Sequence, residues 1–564
     1  MRPPSSPQTP RPPGAPAAAA AALDPAAPAD DDDGARKPVA VEDGKDTEAA
    51  APGDPDFDRT TYVRIPLSRV EFVSVYIGLA LAIFLASLDQ TIVSTAIPAI
   101  VKDFQALDQI AWIGTSYLLT STSFSPLYGK FADTFGRKAT FLFAVAVFEI
   151  GSLICGVATS MNILIFGRAI AGVGGGGVIS LVLIIISDIV SFRDRGKYQG
   201  VIGAVFGLSS VLGPLLGGAF TDGLSWRWCF YINLPIGGIT MVVIFFLLRL
   251  PREEASTFEK FKRIDFLGTA LIIAAVICML IPLQFGGNQW AWSDWRTIIM
   301  IIASAVIFVA FFLVEAFVSV EPVLPPSMYE NRSVYAILFI AFTLGASFFG
   351  LVYFLPTYFQ IVNGDSATSA GLSTIPFVGG LIVMSIGSGI IVSRWFYFTP
   401  FFFVGSVVLT VGALLMSTMT QYSTRAQQVG YQLIAGLGVG SMIQMRTIGI
   451  QASVTPENIA VATAAATFFQ SLGGSIGVAI VGTVFQNVLA NELGPKFSVL
   501  VSRDPSAVRT LPEPSRTFVL DGFSKAFNIS YKTTAPLAGL IFIAALFVKQ
   551  ARGVARPKAT VIAE

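Results

Sequence analysis

Among the charged residues that stand inside long apolar runs of this 564-residue chain are Asp89 in LASLDQTIVSTAIP, Glu149 in VAVFEIGSLIC and Arg168 in LIFGRAIAGVGGGG. A charge in hydrocarbon is costly and is kept where it is paired or carries a function. The chain has no histidine, so any protonatable group near a membrane centre has to be a carboxylate. Counted at about 1.5 Å per residue, Asp89 falls about 6 Å and Arg168 about 10 Å outward of the centres of their helices. That similar depth suits an ion pair or a shared hydrogen-bond network, in which the protonation of Asp89 is coupled to its partner. The plain alternative is a permanent buried pair that specifies packing. Glu149 is a second proton-binding candidate on depth alone, against the reading of a satisfied packing carboxylate. Glu315, close to a helix end, is read as structural.

A second constellation is GKFADTFGRK, residues 129 to 138. Gly129 and Gly136 permit close backbone approach and turning where a helix leaves the bilayer. Lys130, Arg137 and Lys138 hold the loop on one side, and Asp133 and Arg137, four apart, pair if the loop is helical.

The elements that must position these residues follow from composition. Hydrophobic residues make up 53% of the chain, charged residues 13%, and the mean hydropathy is +0.68, which marks an all-α polytopic membrane protein. A net charge of +1 without a basic domain excludes a nucleic-acid partner. Cys155, Cys229 and Cys278 all sit in apolar runs and read as packing residues. No nucleophile motif, phosphate loop or metal-ligand cluster is present, so neither an enzyme nor a cofactor is expected. Residues 1–65, rich in Pro, Ala and Asp, read as a disordered cytoplasmic tail.

Windows of about 20 apolar residues give fourteen spans, the first at 72–99 and the last at 534–548. They group as 72–249, an inserted pair at 265–319, and 333–548 with a long outer loop at 487–533; a cytoplasmic tail follows at 549–564. The excess of Lys and Arg in alternate loops places GKFADTFGRK in the cytoplasm. On this topology the sequon at Asn528 lies in the outer loop and that at Asn331 inside.

GKFADTFGRK resembles the loop signature of the major facilitator superfamily. LASLDQTIVSTAIP, LIFGRAIAGVGGGG, GLSSVLGPLLGG and WRWCFYINLPIG are similar, in the family's order, to motifs of its fourteen-spanner drug:proton antiporters, especially fungal toxin and multidrug exporters. The resemblance implies two six-helix bundles with two extra helices between them. It also implies that Asp133 contacts the opposite bundle and helps to close the cytoplasmic side. The facing segment is expected in SVTPENIAVATAAA, with Thr455 as N-cap and Asp133 docking near residues 455 to 463.

Gly207, Gly213, Gly217 and Gly218 give a helix small faces, and Pro214 frees the carbonyl of Ser210, so a bend or pivot is expected there; tight static packing is the alternative. Gln470 stands where related sequences often carry an arginine. Phe349, Tyr353, Tyr358 and Gln360 are candidates to line a cavity for a largely apolar ligand, and the scarcity of acidic residues in the last six spans disfavours a dedicated cation cargo. The chain is therefore expected to export small hydrophobic molecules in exchange for protons by alternating access. It is expected as a monomer in the plasma or vacuolar membrane. A vacuolar carrier of basic amino acids is the alternative transporter, and a transport-inactive sensor or scaffold the alternative of another class.

Overall fold

The computed structural model describes residues 68–106, 109–248, 264–286, 290–319, 321–503 and 511–550. The expected N-terminal tail and all but the first two residues of the C-terminal one lie outside the described residues. The first half opens with α1 (Arg69–Phe104), whose start is fixed by a reciprocal cap: the Ser68 hydroxyl accepts from the Glu71 amide at 3.2 Å and the Glu71 carboxylate from the Ser68 amide at 2.9 Å. It continues through α2 (Ile110–Phe124), α3 (Leu127–Phe135), α4 (Arg137–Gly156), α5 (Met161–Ile189), α6 (Arg195–Gly223), α7 (Trp228–Tyr231) and α8 (Asn233–Leu247). Gly136, at φ +88°, makes the sharp turn between α3 and α4.

A hairpin of α9 (Phe266–Phe285) and α10 (Trp295–Phe317) follows. The Ser304 hydroxyl donates to the Ala275 carbonyl across it at 2.8 Å, and Ile302, Val306, Val309 and Leu313 of α10 are exposed, as suits a lipid-facing helix. Glu315 is buried and accepts the Val323 and Leu324 amides at 3.1 and 2.9 Å, which ends the hairpin. The second half comprises α11 (Arg332–Tyr358), α12 (Ala367–Ser373), α13 (Ile375–Trp395), α14 (Thr399–Met416), α15 (Arg425–Ala452), α16 (Ile459–Arg503) and α17 (Ser515–Ala545).

Twelve helices among the described residues are long and apolar enough to cross a membrane, against fourteen spans expected. The two outside that set are α2, with only fifteen residues, and α17, which carries Arg516, Asp521 and Lys525 in its first half and Lys532 just past its middle. The expected outer loop at 487–533 is instead largely helical. Apolar windows stop where charges begin, but α16 runs on past a turn at Gly494 (φ +66°), and Lys525 of α17 pairs with Glu492 at 2.6 Å. Asn528 accordingly sits inside a helix rather than a loop.

In α6 the glycines divide between two faces. A Cβ at Gly213 or Gly217 would run into Thr91 or Thr95 of α1, in the same half, whereas Gly196 and Gly207 lie against Gly389 and Ile382 of α13, in the other. Gly218 has only the Thr368 hydroxyl near it, at 3.5 Å. The helix runs continuously from Arg195 to Gly223 with Pro214 inside it, and close packing against α1 accounts for Gly213 and Gly217.

Candidate functional site

The structure brings Asp89 and Arg168 together in the core of the first half. Arg168 donates from Nη1 to Asp89 Oδ2 at 2.5 Å and from Nε to the Ile113 carbonyl at 3.1 Å, and its guanidinium lies 4.5 Å from the centre of the Tyr117 ring. The second carboxylate oxygen of Asp89 accepts from Asn233 Nδ2 at 3.2 Å, and the same amide donates to the Ser152 hydroxyl at 3.1 Å. All of these groups are buried. Asp89 is thus held by a cation and an amide, one on each carboxylate oxygen.

Glu149 is different. It is buried on α4, and neither carboxyl oxygen has a hydrogen-bond partner among the described residues. Gly237 of α8 makes the space: a Cβ there would overlap Glu149 Oε1. A bare carboxylate is costly in such a place, whereas a carboxyl holding a hydrogen is much less so.

GKFADTFGRK forms most of α3 and the start of α4, at the Lys/Arg-rich end of the molecule. Asp133 pairs with Arg137 at 2.8 Å, and Arg137 also reaches Asp188 at 3.2 Å and the Ala132 carbonyl at 3.1 Å. Lys138 donates to the Phe245 carbonyl at 2.6 Å. Burial pushes the Asp133 carboxyl up to about 6, outweighing the pull of Arg137 and Lys130, with Asp188 adding to the rise. The loop does pack on α16, but through Gly129, where a Cβ would lie 2.8 Å from Val461 Cα. Asp133 pairs with Arg137, and residues 455–463 begin with a 3-10 turn, Pro456–Asn458, to which the Thr455 side chain gives no capping hydrogen bond.

A cross-half polar cluster at the same end was not foreseen. Gln451 of α15 accepts from Arg195 and Gln199 of α6, each at 3.3 Å, and donates to Thr463 of α16 at 3.1 Å. The Lys197 amide donates to the Ser393 hydroxyl at 3.0 Å. The two halves are therefore closed against each other here.

The four aromatic and amide candidates are not gathered into one site. Tyr358 is in the core with its hydroxyl donating to the Thr420 carbonyl at 2.9 Å, Phe349 meets Phe348 edge to face, and Tyr353 and Gln360 are exposed. Residues missed by sequence reasoning are Asn233, hidden within WRWCFYINLPIG, the hub Gln451, and Arg446 on α15, a charge in an apolar run like Asp89 and Arg168. Gln470 is buried, with no partner for its Oε1 among the described residues.

Residues 79–478 match the family model described as Major Facilitator Superfamily. The chain is 42% identical over 460 residues to the MFS-type efflux pump MFS1 of Trichophyton rubrum, covering 80% of this chain and 85% of that protein. It is 37% identical over 446 residues to efflux pump aflT of Aspergillus parasiticus, covering 78% and 86%. Among solved structures, the human organic anion transporter MFSD10 (TETRAN) aligns with a TM-score of 0.57 over 85% of this chain and 99% of its own. At 14% identity that likeness carries the fold alone.

Proposed function

This chain belongs to the Major Facilitator Superfamily, and from that premise we propose that it is a proton-coupled exporter of small, largely hydrophobic molecules working by alternating access. The curated relatives are named efflux pumps, which supports the direction of transport. The observation that carries the coupling is the contrast within one helix bundle between Asp89, locked to Arg168 and Asn233, and Glu149, whose carboxyl has no partner among the described residues. In the proposed cycle a proton entering from outside is taken up by Glu149 or by Asp89. On Asp89 it releases Arg168, which frees α1 and α5 to shift; loss of the proton to the cytoplasm restores the pair.

The chain makes fourteen passes in this reading, the twelve long apolar helices joined by α2 and α17, with the closed, Lys/Arg-rich end in the cytoplasm. Gly129, Asp133, Gly136, Arg137 and Lys138 form the gate at that end, and Gly207, near the middle of α6, lets that helix approach α13. The membrane is the plasma membrane. Carriage of basic amino acids is disfavoured, because residues 332–363, 368–395, 399–416, 425–452 and 459–491 contain no Asp or Glu to receive them.

The test is accumulation of a panel of hydrophobic compounds in cells with and without the chain, at external pH 5.5 and 7.5 and with a protonophore. Lower accumulation that depends on the proton gradient is expected. Equal accumulation across the whole panel overturns the proposal.

A further inference from the structure

Arg446 is a buried cation that the protein leaves unanswered. Its side chain is 5% exposed, and neither Nε nor Nη1 has a hydrogen-bond partner among the described residues. A guanidinium cannot shed its charge in a protein, and a lone buried charge is expensive by several kcal/mol. No carboxylate pairs with it among the described residues, and the membrane helices around it have none to offer. The acids of this half among the described residues, Glu330, Asp365, Glu457, Glu492, Glu513 and Asp521, lie at or near the helix ends or outside the most apolar stretches. The other two buried arginines of the described residues have partners: Arg168 has Asp89, and Arg195 has Gln451 and the Ser187 carbonyl.

The surroundings on its own helix are apolar. Val439, Ile443 and Ile450 are seven and three residues before it and four after, on the same face of α15, and all are buried. Arg446 lies about 11 Å from the middle of α15, toward the closed end, five residues short of the Gln451 hub. A fixed positive charge in an apolar wall, just inside a gate, suits a ligand with a hydrophobic body and one acidic group.

We infer that Arg446 is the anchor for an anionic group, a carboxylate, enolate or phenolate, on an otherwise hydrophobic cargo. This rests on the exporter reading above and narrows its substrate class. Arg446 offers a planar fork of donors that matches such oxygen pairs, and the cargo supplies the counter-charge that the chain lacks.

The test uses the purified full chain in detergent and two dyes on one xanthene skeleton, anionic fluorescein and cationic rhodamine 123, with binding followed by fluorescence anisotropy. The wild type should bind fluorescein more tightly than rhodamine 123. Arg446→Gln should weaken fluorescein at least about tenfold, the loss of one charge-assisted contact, and leave rhodamine 123 within about twofold; Arg446→Lys should keep part of the preference. Monodispersity on size exclusion checks that the variants are folded, and Arg446→Lys carries the test if the glutamine variant is not. Equal loss of both dyes, no preference in the wild type, or a phospholipid retained by the wild type and lost in Arg446→Gln without any change in dye binding overturns the inference. Rhodamine 123 binding in the wild type, together with the efflux assay above, distinguishes failure of the anion anchor from failure of the exporter reading.

Discussion

Arg168 and Arg446 are both buried arginines in membrane helices, one in each half, and they are treated oppositely. The first half surrounds Arg168 with a carboxylate, a carbonyl and an aromatic face, and gives that carboxylate a second donor in Asn233. The second half supplies Arg446 with no carboxylate. In the reading proposed above the two bundles divide the work: one keeps its charges in an internal network that a proton rearranges, and the other keeps a charge for the cargo.

The strongest way to break the comparison is to delete each cation in turn. Arg168→Met leaves Asp89 buried without its ion-pair partner and should cost about 3 to 5 kcal/mol, read as a large drop in thermal stability of the purified protein. Arg446→Met removes an unpaired charge instead and should be neutral or stabilising in the absence of cargo. A comparable loss in both variants would erase the distinction.

Gly129→Val tests the contact between halves. Its Cβ meets the Val461 backbone at 2.8 Å, and overpacking of this kind costs about 1 to 3 kcal/mol, charged here to the closed conformation. In a background lacking Cys155, Cys229 and Cys278, cysteines at 197 and 393 should crosslink efficiently and lose that efficiency when Gly129→Val is added.

Glu149→Gln sharpens the contrast within the first half. Because the carboxyl has no partner to lose, thermal stability should stay within about 1 kcal/mol, while proton-driven export falls at least about tenfold. Unchanged gradient-driven export would leave Asp89 as the sole candidate carboxyl.

The smallest effect is a pH dependence. The closed conformation raises the Asp133 carboxyl to about 6, above the ordinary value near 4, so it binds the proton more tightly than a conformation with Asp133 in water. Closure is then favoured at low pH and weakens as pH rises from about 4 through about 6. The 197–393 crosslink should decline from pH 5 to pH 7 and become flatter in Asp133→Asn.

Much of this was legible in the sequence, for definite reasons. Asp89 and Arg168 announce themselves because a charge stands out in an apolar run and depth can be counted along a helix. Asn233 does not, since a neutral amide costs little enough to pass unnoticed and its partners lie 144 and 81 residues away. The segment facing GKFADTFGRK is the start of α16, as expected, and the close approach of Gly129 to the Val461 backbone there carries no signal in one dimension. Arg446 carried the same signal as Asp89; its meaning depends on the absence of a partner, which only three dimensions reveal. The charged extensions of α16 and α17 escaped because charged helices give no hydropathy signal.

The hairpin of α9 and α10 has a consequence for how such a chain is built. Trp112 of α2 rests on Phe285, their ring centres 4.9 Å apart, and Lys130 of the GKFADTFGRK loop reaches Glu321, just after the hairpin, at 2.6 Å. Excising residues 265–319 would strip Trp112 of that neighbour and displace the anion that answers Lys130. The insert is therefore stitched into the first half rather than appended to it, and a version without the hairpin could not be made by deletion alone: positions 112 and 130 would have to be rewritten with it.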